Sequence, residues 1–501
     1  MNHVVPLRRA MALAWIAATA IVTSPSYAAS TPSTPNIVLI FIDDMGYADI
    51  GPFGNTEVRT PNLDRLAAEG TKFTSFYATP VCSMSRACMM TGCYNARVSI
   101  PGVLFPKDNI GLNPNEITLA EIVKQKGYAT CCIGKWHLGH YPEFLPTRQG
   151  FDHYFGLPYS NDMKAGRKDM PPLPLIRDET TIETEPDQSQ LTRRYTEEAV
   201  AFIREHQAEP FFVYLPHSMI HAPLAASAAF KGKSSLGLLG DAIEEIDWSV
   251  GQILQTLKDL NLEENTLVVF TSDNGPAHRP APPLRGSKGT CFEGGVREPC
   301  IMRWPGKIPA GATCNQIAGN IDMLPTFAKI VGVEPPADRV IDGRDITPLM
   351  FHPDSGPVRD VHLYFGGLKL AAIRQGDWKL FLATPEEKPA AKSAPKSSAK
   401  AKADAPKKTP KASVKAEADA TKSASKAPAK AKADAAKKKG AGPQRGLYNL
   451  ATDLGETTDV AAEHPDIVAQ LRAEAEKRKA EIEADKRPAG RSTGLGDRPS
   501  S

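Results

Sequence analysis

Residues 36–46 read NIVLIFIDDMG, an unbroken apolar run from Ile37 to Ile42 stopped by the acidic pair Asp43 and Asp44. A strand with one wet face alternates polar and apolar residues, whereas a strand covered on both faces has no reason to. The run therefore predicts a strand inside a helix-covered sheet. Three further segments share its grammar. YATCCIGKWHLG (128–139) ends an apolar run at Ile133 and then presents Lys135 and His137. PFFVYLPHSMIHAP (210–223) runs from Phe211 to Leu215 and then presents His217 and His221. NTLVVFTSDNGP (265–276) runs from Leu267 to Phe270 and then presents Asp273, Asn274 and Gly275.

Helical segments lie between these runs. TPNLDRLAAEG has Thr60 as a cap, Pro61 in the first turn and Gly70 as a stop. TLAEIVKQKG is capped by Thr118 and stopped by Gly127. LTRRYTEEAVAFIREH and GDAIEEIDWSVGQILQTLKDL follow, the second with Ile243, Ile246, Val250, Ile253 and Leu257 at helical spacing. Strands alternating with helices predict an α/β domain with a mainly parallel sheet. In such sheets ligands bind beyond the carboxyl ends of the strands, where each polar cluster above falls.

Asp43, Asp44, Asp273 and Asn274 supply three carboxylates and an amide at two strand ends. Either group alone is ordinary turn chemistry. Together they suit a hard divalent cation, calcium ahead of magnesium, because calcium tolerates irregular all-oxygen sites. Cys82 sits just before a predicted helix, Ser83 to Met90, closed by Thr91-Gly92. A thiolate at a helix start is conceivable. It sits badly beside a hard cation, which prefers oxygen to sulfur. The conflict disappears if residue 82 presents oxygen in the mature protein.

The 501 residues allow one large domain and a smaller one. Residues 1–28 carry Arg8 and Arg9, an apolar run from Met11 to Val22 and small residues up to Ala28. That is the layout of an export signal, and the run is about half the roughly 20 residues that span a bilayer. A periplasmic or secreted protein without a transmembrane segment is expected.

The net charge of +3 conceals a division. Lys388 to Lys439 holds 16 lysines against four acids, Asp404, Glu417, Asp419 and Asp434, so the rest of the mature chain is acidic. An acidic body with a basic insert does not suit nucleic acid. The insert, 385–442, lacks the large apolar residues a core needs and is expected to be disordered. It reads as a solvated spacer or as a cationic tether for an anionic polysaccharide. It interrupts a C-terminal subdomain, 356–490, whose VHLYFGGLKLAAIRQGDWKLFLAT looks like short antiparallel strands and whose last segment looks helical. Eight cysteines, none spaced C-x-x-C, leave disulfides allowed and a zinc site disfavoured.

The pieces IDDMGYADIG, TPNLDRLAAEG, CSMSRACMMTG, IGKWHLG, GFDHYFGLPYSNDM, HSMIHAP, TSDNGP and GSKGTCFEGGVREP stand in order across residues 42–299, with LYNLATDLGETTDVA near the end. In these the chain resembles the type I sulfatases, in the branch of arylsulfatase A and N-acetylgalactosamine-6-sulfatase. The resemblance implies an alkaline-phosphatase-like α/β sandwich over 34–355 and a small α+β subdomain with an antiparallel sheet. It implies that a maturation enzyme oxidises Cys82 to formylglycine, whose hydrate has two hydroxyls. One attacks sulfur; the other later expels sulfate, which a serine or cysteine could not do. The resemblance assigns Asp43, Asp44, Asp273 and Asn274 to the metal, adjoined by residue 82. Arg86 would hold the modified residue, and Lys135 and Lys288 would bind sulfate oxygens. His137 would act as the base, and His221, with Lys288, would protonate the leaving alcohol. Ser160 would contact substrate. The family's modification signal reads Cys-x-Pro-x-Arg, sometimes with alanine in the middle; Met84 stands there in this chain. The expected substrate is an aryl or carbohydrate sulfate. A phosphodiesterase or phosphonate hydrolase on the same architecture, and a non-catalytic binder of sulfated polysaccharide, are the alternatives. Arg297 and Glu298 read as an ion pair or loop anchor, and His217 as structural.

Overall fold

The computed structural model describes residues 1–3, 34–277, 279–382 and 445–493. The expected export signal, beyond residue 3, and the lysine-rich insert lie outside the described residues. The elements run β1 (Asn36–Ile42), α1 (Pro61–Ala68), β2 (Thr71–Tyr77), α2 (Cys82–Thr91), β3 (Ile110–Gly111), α3 (Leu119–Lys124), β4 (Ala129–Lys135) and β5 (His153–Leu157). Next come β6 (Pro174–Arg177), β7 (Thr180–Thr184), α4 (Leu191–Glu205), β8 (Phe211–Pro216), α5 (Leu238–Asp259), β9 (Thr266–Ser272), α6 (Glu293–Val296) and β10 (Arg297–Arg303). The chain continues through β11 (Ala312–Cys314), β12 (Ala318–Gly319), α7 (Met323–Val331) and α8 (Thr347–Phe351). After these come β13 (Val361–Gly366), β14 (Lys369–Gln375), β15 (Trp378–Phe381) and β16 (Gly446–Asn449), and then the helix Pro465–Ala484.

The four apolar runs are β1, β4, β8 and β9, adjacent in the large sheet, whose order is β11-β2-β10-β9-β1-β8-β4-β5-β6-β7 with β12 also on β2. The five strands β9-β1-β8-β4-β5 are all parallel. Antiparallel β10 and the β6–β7 hairpin extend the two sides.

Burial on both faces explains the unbroken runs. Ile37, Leu39 and Phe41 of β1 join one apolar cluster, and Val38, Ile40 and Ile42 join the other. Adjacent Cys131 and Cys132 divide the same way, because successive strand residues face opposite sides. Helices α1, α4 and α5 cover one face through Leu63, Tyr195 and Ile246. Helices α2, α3 and α7 cover the other through Met89, Ile122 and Phe327. Every residue of α2 is buried. Its Ala87 and Met90 meet the large sheet's core, and Met84 and Cys88 meet the apolar side of β13–β16. All eight cysteines are buried free thiols, so the allowed disulfides do not form.

Thr118 caps α3 as expected, in a reciprocal pair with Glu121. Thr60 does not cap α1: its hydroxyl accepts from Gly51 N at 2.9 Å. Asp247 of α5 does so instead, accepting from Asn62 N at 3.2 Å and Leu63 N at 2.8 Å.

The antiparallel sheet β13-β14-β15-β16 is joined to the large domain by buried charge. The Lys379 ammonium donates to Cys291 O at 2.7 Å and lies 2.8 Å from both Glu293 and Glu456. All three charged side chains are fully enclosed. Lys379→Ala would leave buried Glu456 without its cation and Glu293 with Arg297 alone, and is expected to cost about 3–5 kcal/mol. Denaturant unfolding monitored by tryptophan fluorescence measures this; a loss below about 1 kcal/mol would remove the junction's proposed importance.

Phe381 and Gly446 are register partners in β15 and β16, so residues 383–444 begin and end at one hairpin tip. Replacing them with a short turn should leave the strand pairing intact. Shorter loop closure is then expected to stabilise the fold by up to about 2 kcal/mol. A fall in thermal midpoint would mean that the insert contributes folding contacts.

Candidate active site

Each parallel strand delivers polar side chains at its carboxyl end. β9 leads into Asp273 and Asn274, β1 into Asp43 and Asp44, β8 into His217 and His221, β4 into Lys135 and His137, and β5 into Ser160. These strands are neighbours, so residues far apart in sequence meet above one edge. Cys82 reaches the same place from the first turn of α2. One ligand atom each from Asp43, Cys82 and Asp273 lie within 4.8 Å of one another, as do one each from Asp43, Asp44 and His221.

Positive charge is threaded among the acids. Lys135 Nζ donates to Asp43 Oδ2 at 2.5 Å and to Ser160 Oγ at 3.3 Å. Lys288 Nζ donates to Asp44 Oδ1 at 2.5 Å. Arg86 grips Asp273 Oδ2 through Nη2 at 2.8 Å and Nε at 3.2 Å, and donates to Lys135 O at 2.5 Å. Asn274 Nδ2 donates to Asp44 Oδ1 at 2.7 Å. Asp44 has φ 64°, a left-handed backbone that aspartate tolerates better than most residues.

The two histidines are held in defined tautomers. A carbonyl oxygen only accepts, so the 2.9 Å contact of His137 Nε2 with Leu104 O places the proton on Nε2. His137 Nδ1 is buried with no partner, leaving its lone pair free. Burial, then the charges of Lys135 and Arg86, push the His137 pKa well below its ordinary value, so the ring is neutral. His221 Nδ1 donates to Ala222 O at 2.6 Å, which turns Nε2 toward Ser160 Oγ at 3.5 Å and Asp44 Oδ2 at 3.8 Å.

The oxygen set fits a hard cation. Asp43 Oδ1, Asp44 Oδ2 and Asn274 Oδ1 are buried without a hydrogen-bond partner among the described residues. Burial and the neighbouring Asp43 push the Asp273 carboxyl upward. Burial acts the same way on Asp43, but Lys135, His221, Arg86 and Lys288 outweigh it and hold that carboxyl far below the usual range. Two enclosed carboxylates sharing one space in this way are what a divalent ion between them would relieve. Three carboxylates against Arg86, Lys135 and Lys288 leave the cluster balanced, so a bound divalent ion would make it attractive to an anion. Cys82 itself is unsuited to act as a thiolate, because burial pushes its thiol up.

Arg297 forms an ion pair, as expected, but the two neighbours do not pair with each other. Arg297 pairs with Glu293 at 3.2 Å and not with its neighbour. Both Glu298 carboxyl oxygens are buried with no partner. Burial, then Asp273, Asp49 and Asp44, raise its pKa well above the ordinary value. Strand alternation separates the two: consecutive residues of β10 face opposite sides. His217 bonds Ser249 Oγ at 3.2 Å within the packed interior, the structural place expected of it. Sequence reasoning also missed Asn161 and Gln188, whose contacts span distant loops and leave no local signal.

A family model described as Sulfatase matches residues 35–333. N-acetylgalactosamine-6-sulfatase of Canis lupus familiaris is 42% identical over 380 residues, spanning 70% of this chain and 72% of that protein. Arylsulfatase A of Bos taurus is 39% identical over 364 residues, spanning 66% and 71%. Among solved structures, the PsFucS1 sulfatase from Pseudoalteromonas sp. matches with a TM-score of 0.72 at 26% identity, covering 91% of this chain and 92% of that one.

Proposed function

The chain belongs to the sulfatase family, in the branch of N-acetylgalactosamine-6-sulfatase and arylsulfatase A, and we propose that it removes sulfate from a carbohydrate ester through a formylglycine made from Cys82. It has the alkaline-phosphatase-like sandwich of sulfatases, with the small antiparallel sheet at its C-terminal end. The observation that carries the reading is the trio of buried, partnerless oxygens on Asp43, Asp44 and Asn274 at the place where Cys82 meets Asp43 and Asp273. No helix among the described residues is long and apolar enough to cross a membrane.

Asp43, Asp44, Asp273 and Asn274 would hold the cation, calcium ahead of magnesium, and the modified residue 82 would adjoin it. When present, the hydrated formylglycine supplies two hydroxyls on one carbon and the cation supplies positive charge beside them. The protein's own side chains do the rest. Lys135 spends donors on Asp43 and Ser160, Lys288 spends one on Asp44, and each keeps at least one for sulfate oxygens. Arg86, anchored on Asp273, is fixed next to residue 82. His137 offers a free Nδ1 lone pair and can take a proton. His221 presents Nε2 to the site and, when protonated, gives that proton to the departing alcohol oxygen. Ser160 steadies that nitrogen and Lys135.

A carbohydrate sulfate is favoured because the relatives include an N-acetylgalactosamine-6-sulfatase. The test is turnover of N-acetylgalactosamine 6-sulfate, 4-nitrophenyl sulfate and bis(4-nitrophenyl) phosphate by the full chain. Sulfate release is expected from the first two. Faster cleavage of the phosphodiester than of either sulfate would overturn the reading.

A further inference from the structure

We infer that Asn161 is a positioning residue that clamps the main chain of His221 and so sets the direction of proton delivery to the leaving group. The inference rests on the reading of His221 as the proton donor. Asn161 is fully buried. Its amide nitrogen faces three acceptors: Gln188 Oε1 at 3.0 Å, and His221 O and Pro223 O, each at 3.4 Å. Three acceptors around one terminus fix that terminus as the NH2. Gln188 returns a bond, donating from Nε2 to Asn161 O at 2.8 Å.

The segment so gripped is held on its other side as well. Ile220 N donates to Asp43 O at 2.9 Å, and Asp43 N donates to Met219 O at 3.4 Å. The His221 loop is therefore strung between the metal-site strand and the Asn161–Gln188 pair. The imidazole has little freedom of its own, because Nδ1 is tied to Ala222 O within the same segment. Moving the segment moves Nε2. Ser160, the preceding residue, touches Nε2 directly, so consecutive side chains hold the ring tip and the loop behind it.

A loosened proton donor matters little when the leaving group departs readily as an anion, and matters greatly when it does not. Kinetics on 4-nitrophenyl and phenyl sulfate therefore separate positioning from general damage. For Asn161→Ala, kcat on phenyl sulfate is expected to fall at least about tenfold further than on 4-nitrophenyl sulfate, with KM changed by less than about threefold. Gln188→Ala, at a less buried position, should show the same split to a smaller degree and guards against a folding defect in the first variant. His221→Ala is the reference and should show the largest split. Equal losses on both substrates in the Asn161 and Gln188 variants, with the split kept in His221→Ala, would overturn the clamp and leave the proposed function standing. No split in His221→Ala would overturn the donor assignment and the clamp with it.

Discussion

Cys82→Ser is expected to stop catalysis after a single event, with the full-length chain gaining one sulfuryl group on residue 82 and releasing no sulfate. A serine hydroxyl can attack sulfur and displace the alcohol, leaving a serine O-sulfate. No second hydroxyl then exists on that carbon whose deprotonation could expel the sulfate. Cys82→Ala should lack even the first event. In both, steady turnover should fall by on the order of 10⁶-fold, the scale seen when a covalent nucleophile is removed. The fold should tolerate either change: Cys82 lies in the first turn of a fully buried helix, and both replacements are no larger than a cysteine. A thermal midpoint within a few degrees of the parent would confirm that. Steady turnover above about a tenth of the parent value in either variant would exclude residue 82 as the nucleophile's source.

The second large effect is expected from Asp44→Asn. Asn tolerates the left-handed backbone at φ 64° as well as Asp does, so the turn should survive. The side chain keeps its size but loses a charge, and one of its oxygens becomes an amide nitrogen. Asp44 Oδ1 serves Lys288 and Asn274, while Oδ2 is one of the partnerless oxygens. Losing a cation ligand should therefore raise the calcium concentration for half-maximal activity by about 100-fold or more. Maximal turnover should fall at least about 10³-fold, the several kcal/mol a Lewis acid contributes. Calcium is expected to raise the parent's thermal midpoint, and that stabilisation should shrink in parallel, because ligand stabilisation follows mass action. Activity in chelator-buffered calcium measures the first two quantities, and thermal melts the third. Unchanged metal dependence would remove Asp44 from the ligand set.

Much of this architecture is written locally. Ile37 to Ile42 is unbroken because helices cover both faces of β1, and the same cause makes β8 and β9 legible. Asp43, Asp273 and Lys135 stand out because parallel strands present whatever follows them at one sheet edge. Partners chosen across long distances are not written locally. Asp247 caps α1 from a helix some 180 residues later, and the nearby Thr60 gave no hint of it. Arg297 selects Glu293 over the adjacent Glu298 because strand geometry points neighbours apart. β7, with its alternately exposed pattern, carries no apolar run to mark it. Asn161 and Gln188 are ordinary loop amides until the His221 segment is laid between them.

Everything proposed for catalysis turns on the chemical state of residue 82 beside Asp43 and Asp273. The most direct measurement is the mass of the proteolytic peptide containing that residue, from active protein purified after co-expression with a formylglycine-generating enzyme. Conversion removes sulfur and two hydrogens and adds one oxygen, so the peptide should be about 18 Da lighter than its cysteine form, and the converted fraction should track specific activity. Full activity in protein whose residue 82 is wholly an unmodified thiol would contradict the account.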